Sequence, residues 1–376
     1  MKINKVEPIV LHIPLEKPVV TSFGKMDART TVLVKVETDT GEYGIGEIWN
    51  NFPSWGVYEK VTTLKHGITP LLIGEDPLDI GEINAKLFRA LTVLGLQWGA
   101  LGPIYQSISG IDMALWDLKG KHMGKPVAQL LGGHDRQPVQ VYASGIGPGE
   151  IENLIESHQE MGVSAFKLKV GKNDEQDFRN LQKMRGMLQP DDKIMIDANQ
   201  AWDRENAIRN LQRFKAFNLT WIEEPLRCDD FNGYRFVRES TGIPVAAGEN
   251  LYGERHARMA LENRALDIIQ PDLSKNGGIS ECRAMADIAR SADVPFAPHF
   301  LGGAVCLAAS LHFFSAVPGG VLLELDANPN PFREKLFTTP FVVKDGKLAV
   351  PQGPGLGMEL DPEFVEHYRI DVSSLG

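Results

Sequence analysis

The chain has 376 residues, 43% of them hydrophobic and 23% charged, which is ordinary globular usage with material for a large core and excludes a disordered or fibrous class. Its formal net charge is −10 with Lys and Arg dispersed rather than gathered in a run, which argues against a nucleic-acid surface, and no stretch of about 18 apolar residues suggests a membrane span. Cys228, Cys282 and Cys306 lie far apart with no CxxC spacing, which speaks against a disulfide framework or a thiolate zinc site and suits a reducing, cytoplasmic setting.

The N-terminal MKINKVEPIVLHIPLEK alternates polar and apolar residues, as a strand does, and lacks the continuous apolar core of a signal peptide. TVLVKVETDTGEYGIGEIW, Thr31 to Trp49, predicts a hairpin: Val32, Val34 and Val36 alternate, and Thr38-Asp39-Thr40-Gly41 supplies the turn. The glycines of GEYGIGEIW have the wrong spacing, and no following helix, for a dinucleotide-binding loop. GIDMALWDLKGK then places Ile111, Ala114, Leu115 and Leu118 on one face of a helix. The first 130 residues therefore predict a small α+β unit.

From about Pro138 the texture changes to short apolar runs alternating with amphipathic segments. The runs are PVQVYASG from Pro138, AFKLKVG from Ala165, KIMIDANQ from Lys193, LTWIEEP from Leu219, PVAAGEN from Pro244, LDIIQPD from Leu266, VPFAPHF from Val294 and VLLELD from Val321. Between them lie helical patterns such as DRENAIRNLQRFKAFN, with Asp203 as N-cap and Ala207, Leu211 and Phe214 on one face. Eight strands separated by helices predict a β/α barrel over 131–326. A doubly wound open sheet is the competing fold, but its glycine-rich phosphate loop is absent. GGAVCLAASLHFFSAV, Gly302 to Val317, is broken by Ser310 and His312 and reads as a packed helix. After Asp326 the pattern lapses into loops and short strands that return to the first unit.

Successive barrel runs end on Lys169, Asp197, Glu223, Glu249, Asp272, His299 and Glu324, separated by 23 to 28 residues, about one strand plus one helix each. A single carboxylate after a strand is ordinarily a helix cap or a solvated loop residue. Seven consecutive ionisable groups at one end are not, and that end is the mouth where β/α barrels build active sites. Asp197, Glu223 and Glu249 would repel one another unless a hard cation sat among them, and all-oxygen ligation suits Mg²⁺ better than zinc. Lys167 and Lys169, two apart in a strand, share a face. Taken alone they read as a solvated basic edge; facing this mouth, each is expected to lower the proton affinity of the other, so that one serves as a base near neutral pH. His299 next to the Asp272 strand is expected to have its tautomer fixed by that carboxylate.

The ordered set KLKVG, DANQ, WIEEP, GEN, QPDLSKNGG, APHF and LLELD resembles the enolase superfamily, and within it the mandelate racemase subgroup; GIDMALWDLKGK, LLGG and the closing PGLG extend the resemblance over essentially the whole chain. The resemblance implies an α/β fold with a modified (β/α)7β barrel and an α+β cap built from residues 1–130 and the 327–376 tail. It implies one Mg²⁺ per subunit held by Asp197, Glu223 and Glu249 and in turn holding a substrate carboxylate. Lys169 would move the α-proton on one face, tuned by Lys167, and His299 paired with Asp272 would serve the other. A protonated Glu324 would hydrogen-bond the enediolate, and Glu224 would face away as a structural residue. Glutamate in GEN, with the Asp272–His299 pair, favours this subgroup over relatives like muconate cycloisomerase, where a lysine usually serves the second face.

Ser144 and Asn199 are expected substrate contacts. TSFGK and WNNFPSW are expected to form capping loops: Lys25, Asn50 and Asn51 would meet a polar end of the substrate, and Phe23, Phe52 and Trp55 would wall an apolar one. The implied partner is a small-molecule carboxylate rather than nucleic acid or membrane, in a homo-oligomer. The leading expectation is dehydration of an aldonate or aldarate to a 2-keto-3-deoxy acid. Racemisation or epimerisation of a 2-hydroxy acid on the same two bases is the alternative. A non-catalytic binding barrel is a remote one, because no base or ligand position is missing.

Overall fold

The structure is a computed structural model that describes residues 1–20, 24–133, 137–147 and 149–374. Strands β1 (Ile3–Val20), β2 (Lys25–Thr38) and β3 (Tyr43–Ile48) form an antiparallel sheet in that order. The hairpin register pairs Val32 with Ile48 and Val36 with Gly44, and the Gly41 amide closes the turn onto the Thr38 carbonyl at 3.0 Å. Val32, Val34 and Val36 are all buried and share one face, as the alternation predicts, with Ile108, Ile111, Ala114 and Leu115 of the long helix Leu101–Met123 in the same core.

Helix and sheet meet almost backbone to backbone. A Cβ added at Gly46 would stand 1.8 Å from the Gly110 carbonyl oxygen, and one at Gly44 would stand 1.9 Å from that of Ala114. The glycines of GEYGIG therefore serve close approach of a helix rather than of a phosphate.

The barrel strands are β4 (Val139–Ile146), β5 (Ala165–Lys169), β6 (Lys193–Asp197), β7 (Leu219–Glu223), β8 (Val245–Ala247), β9 (Ile268–Ile269) and β10 (Leu323–Asp326), parallel in the order β10-β4-β5-β6-β7-β8-β9. The gap between β9 and β10 is closed at Phe296, which bridges to Ile269 on one side and Gly320 on the other. The VPFAPHF run thus contributes a stave but only one bridged residue, because Pro295 and Pro298 flank Phe296 and carry no N–H for the ladder. The helix Arg204–Phe214 starts at Asp203, whose carboxylate caps the Asn206 amide at 2.8 Å, and buries Ala207, Leu211 and Phe214.

Each stave sends one side chain into a dry layer across the barrel: Tyr142, Ala165, Met195, Trp221, Ala246, Ile268, Ala297 and Leu322. Tyr142 and Trp221 meet edge to face at 5.6 Å. Two residues further along each stave, side chains return to the interior, and the next layer toward the C-terminal mouth contains Ser144, Lys167, Asp197, Glu223, Gln270, His299 and Glu324. A period of two thus converts a hydrophobic floor into a polar site in one step.

The tail returns to the first unit, as its sequence suggests, and also joins the barrel. A further strand, β11 (Lys347–Leu348), pairs antiparallel with β4 of the barrel, while the Ile370 amide bonds the Val10 carbonyl of β1 at 2.9 Å and the Leu356 amide donates to Asp117 of the long helix at 2.8 Å. The C-terminal segment therefore runs against both units, because buried β4 still offers hydrogen-bonding groups at its N-terminal end. Ala304–Ala316 is a packed helix, and no described helix is long and apolar enough to cross a membrane.

Candidate active site at the barrel mouth

A cavity of about 450 Å³ opens at the C-terminal ends of the strands, walled on the cap side by Met26, Arg29, Trp49, Asn51, Phe52 and Pro53. The barrel contributes Lys169, Asn199, Glu249, His299, Glu324, Ser144 and Lys275 to its lining. Register explains the gathering: Lys169 pairs with Asp197, and Asp197 with Glu223, across adjacent parallel strands.

Lys167 is fully buried. Its Nζ pairs with the Glu223 carboxylate, lies 2.7 Å from Glu324 and 3.8 Å from Asp197, and stands 5.5 Å above the Tyr142 ring. Lys169 Nζ bonds Asp197 at 2.5 Å and the Asn199 side-chain oxygen at 3.1 Å. Across the mouth, His299 Nδ1 lies 2.7 Å from Asp272, and its Nε2 lies 3.3 Å from Glu249. The Glu324 carboxylate accepts from the Phe300 amide at 3.1 Å.

Burial alone would lower the proton affinity of both lysines, but Glu223 and Glu324 hold Lys167 well above the ordinary range and Asp197 raises Lys169. Lys167 does lower Lys169, as expected of neighbouring ammonium groups, but with the protein groups by themselves the carboxylates around the pair outweigh that effect. Burial also disfavours the charge on His299, yet Glu249, Glu324 and Asp272 push it up to about 10. Burial raises Glu324, but Lys167 and His299 bring it down to about 2, the direction away from the protonated form in which it would hydrogen-bond an enediolate. Burial pushes Glu223 up to about 7 against the pull of Lys167.

Among the described residues Glu223, His299 and Glu324 form a group that could hold a metal, each with a ligand atom within 4.8 Å of the others. Asp197 and Glu249, expected beside Glu223 as ligands, stand on the two neighbouring staves with an ammonium against each, from Lys169 and Lys275. Glu223 Oε1 is buried and makes no hydrogen bond, although Oε2 accepts from Gln270 at 2.7 Å. An orphaned carboxylate oxygen between two further carboxylates is a donor set suited to a hard cation. Glu224 does not line the cavity but lies behind Gln200 and Asn250, which do and which donate to it, and burial, with Glu249 nearby, pushes it up to about 8.

The capping expectations are met unevenly. Asn51 and Phe52 line the cavity, and Asn51 donates to the Leu301 carbonyl. Asn50 does not: it is buried at 4% exposure beside Gly56 and Lys60. Nor does Trp55, which the chain swings outward just before the helix Gly56–Thr62 and leaves 60% exposed. Phe23 and the side chain of Lys25 lie outside the described residues. Sequence reasoning missed Lys275, which bonds Glu249 at 2.7 Å and Asn250 at 3.0 Å and sits 4.6 Å over the Trp49 ring. Its signal was a cation three residues beyond Asp272. It also missed Arg29 and Asp326, which pair at 2.9 Å from opposite ends of the chain.

Comparison with known proteins places this geometry. Residues 150–364 match the family described as enolase C-terminal domain-like, and residues 5–132 match the mandelate racemase / muconate lactonizing enzyme N-terminal domain. The D-galactarolactone cycloisomerase of Agrobacterium fabrum is 34% identical, covering 98% of this chain and 99% of the relative. The L-talarate/galactarate dehydratase of Salmonella typhimurium is 34% identical over 88% of this chain and 81% of the relative. Among solved structures, a racemase from Streptomyces coelicolor with bound magnesium superposes with a TM-score of 0.89 at 27% identity, over 98% of this chain and all of that one. A capped barrel with ionisable groups on consecutive strand ends, matched over both its parts, makes this chain an enzyme of the enolase superfamily, in the mandelate racemase / muconate lactonizing enzyme group.

Proposed function

We propose that this enzyme removes the proton α to a substrate carboxylate and, through an enediolate, dehydrates an acid sugar to a 2-keto-3-deoxy acid with the help of one Mg²⁺. The observation that carries the reading is that Lys169 and His299 reach one cavity from staves on distant sides of the barrel, with Asp197, Glu223 and Glu249 on the arc between them. Those three carboxylates would hold the metal. Bound there, Mg²⁺ would offset the negative charge that keeps Lys169 protonated and supply the positive charge that an enediolate needs. Lys169 then takes the α-proton. His299, oriented through Nδ1 by Asp272, donates its proton to the departing β-hydroxide. Asn199 and Ser144 orient the substrate, and Trp49 and Phe52 cover it from the cap, which in this reading comprises residues 1–130 and 327–376 around a 131–326 barrel.

The relatives' printed names support dehydration and also frame two other outcomes. Bases on both faces would equally serve inversion at the α-carbon, and a lactone substrate would place the leaving group within the ring. A library of aldonates, aldarates, their lactones and simple 2-hydroxy acids, read in D₂O for 2-keto acid and for α-deuterium, separates them. The expected result is 2-keto acid, abolished by EDTA and restored by Mg²⁺. Turnover undiminished in chelator would overturn the metal reading, and deuterium appearing only with inverted product would assign a racemase.

A further inference from the structure

The cavity has a second polar end. Above Glu324, the β10 strand runs one more inward step to Asp326, about 6–7 Å further along at the usual strand rise. That spacing is of the order of a six-carbon chain. Asp326 Oδ2 accepts from Arg29 Nη2 at 2.9 Å, and its Oδ1 is taken by the backbone and side-chain nitrogens of Asn328 at 3.0 and 2.9 Å. The aspartate is therefore fully engaged.

Arg29 is not. It lines the cavity at 2% exposure, and its Nε and Nη1 are buried without a hydrogen-bond partner. A guanidinium has five N–H donors, and this one has only Nη2 engaged. Leaving the others dry and unpaired is costly, so they point to an acceptor that arrives with the ligand. Among the described cations lining the cavity, Lys169 and Lys275 lie against Asp197 and Glu249 at the reacting end, which leaves Arg29 at this one. A planar fork of donors fits a carboxylate better than a hydroxyl.

We propose that Arg29, held in place by Asp326, determines specificity by receiving the second carboxylate of a diacid, so that the enzyme prefers aldarates to aldonates of the same carbon skeleton. This rests on the reading that the reacting carboxylate lies between Lys169 and His299.

The test compares wild type with Arg29→Lys, which keeps a cation for Asp326 but gives up the fork. Pairs of six-carbon aldarate and aldonate of each configuration are assayed for kcat, KM and α-deuterium exchange, and binding is measured by calorimetry. The expected result is that the variant loses about tenfold to a hundredfold more in kcat/KM on the aldarate than on the aldonate, mostly in KM, the scale of one charge-assisted contact. A wild-type arm needs no variant: the aldarate should bind more tightly and raise the melting temperature further than its aldonate. Equal binding of the pair, or an equal loss on both in the variant, overturns the anchor while leaving the proposed reaction standing. Absence of exchange with every hydroxy acid removes the proposed reaction and this inference with it.

Discussion

Replacing Asp272 by Asn changes almost no volume but dictates where a proton sits on His299. In the native site Asp272 Oδ1 accepts from the Ser274 amide at 2.7 Å and from its hydroxyl at 2.6 Å, while Oδ2 faces His299 Nδ1 at 2.7 Å. Two donors at the first position oblige an asparagine to keep its carbonyl there, so its NH₂ must turn toward Nδ1. His299 can then accept only by carrying its proton on Nε2, the nitrogen that faces the cavity and Glu249. The imidazole is then left neutral with its one proton on Nε2, a far weaker acid toward the departing hydroxide than imidazolium, because it has lost the neighbouring charge that favours its protonated form. A positioned acid–base group contributes about 10² to 10⁴ in rate, so kcat should fall by about that factor, or about 3–5 kcal/mol in barrier height. Proton exchange at the Lys169 face should survive. The assay is steady-state turnover alongside NMR-detected α-deuterium incorporation, with circular dichroism confirming an unaltered fold. Full turnover in Asp272→Asn, or exchange lost together with turnover, would falsify the assignment of His299 as an oriented acid–base group.

Glu224 gives a pH prediction. Its folded pKa of about 8 lies above the ordinary 4.5, so the folded state holds the proton more tightly than the unfolded chain. The stability it contributes is complete below about 4.5 and is lost as pH rises toward about 8, declining by about 1.4 kcal/mol per unit in that window if it acts alone. Metal-stripped protein should therefore lose urea resistance over that range, and Glu224→Gln should flatten the profile; parallel profiles would contradict this. Gly46→Ala puts a methyl 1.8 Å from the Gly110 carbonyl and forces helix and sheet apart. Soluble yield and melting temperature should both drop sharply, and a variant that melts normally would mean the close approach is not required.

Much of this could be read in advance because the barrel repeats a simple rule. Strands of period two, each ending on a charged residue, leave little choice about which side chains meet, and the Lys167–Lys169 pair declared its shared face from spacing alone. What stayed hidden depended on contacts between distant segments. Arg29 and Asp326 are 297 positions apart, and nothing local in either strand announces the other. Lys275 has no local partner that marks it out; Trp49, from the cap, lies 4.6 Å from its ammonium. The lysine pair shows the same dependence on distant segments: Lys167 lowers its neighbour as spacing suggests, but the net balance is set by Asp197, Glu223 and Glu324 from other strands. Asn50 and Trp55 failed as cavity residues because a seven-residue loop motif does not say which of its side chains turns inward.

The carboxylate of Glu47, carried on β3, caps the amides of Gly303 and Cys306 at the head of the Ala304–Ala316 helix, the Cys306 contact at 2.9 Å. With Arg29 on β2, it pins the regular strands of the sheet to one rim of the barrel, whereas the segment from Trp49 to Pro53 that covers the cavity emerges just after them. Docking and discrimination are thus assigned to different stretches of chain. Evolution, or an engineer, can rewrite the covering loop to suit a new substrate without unhooking the lid from the machine beneath it.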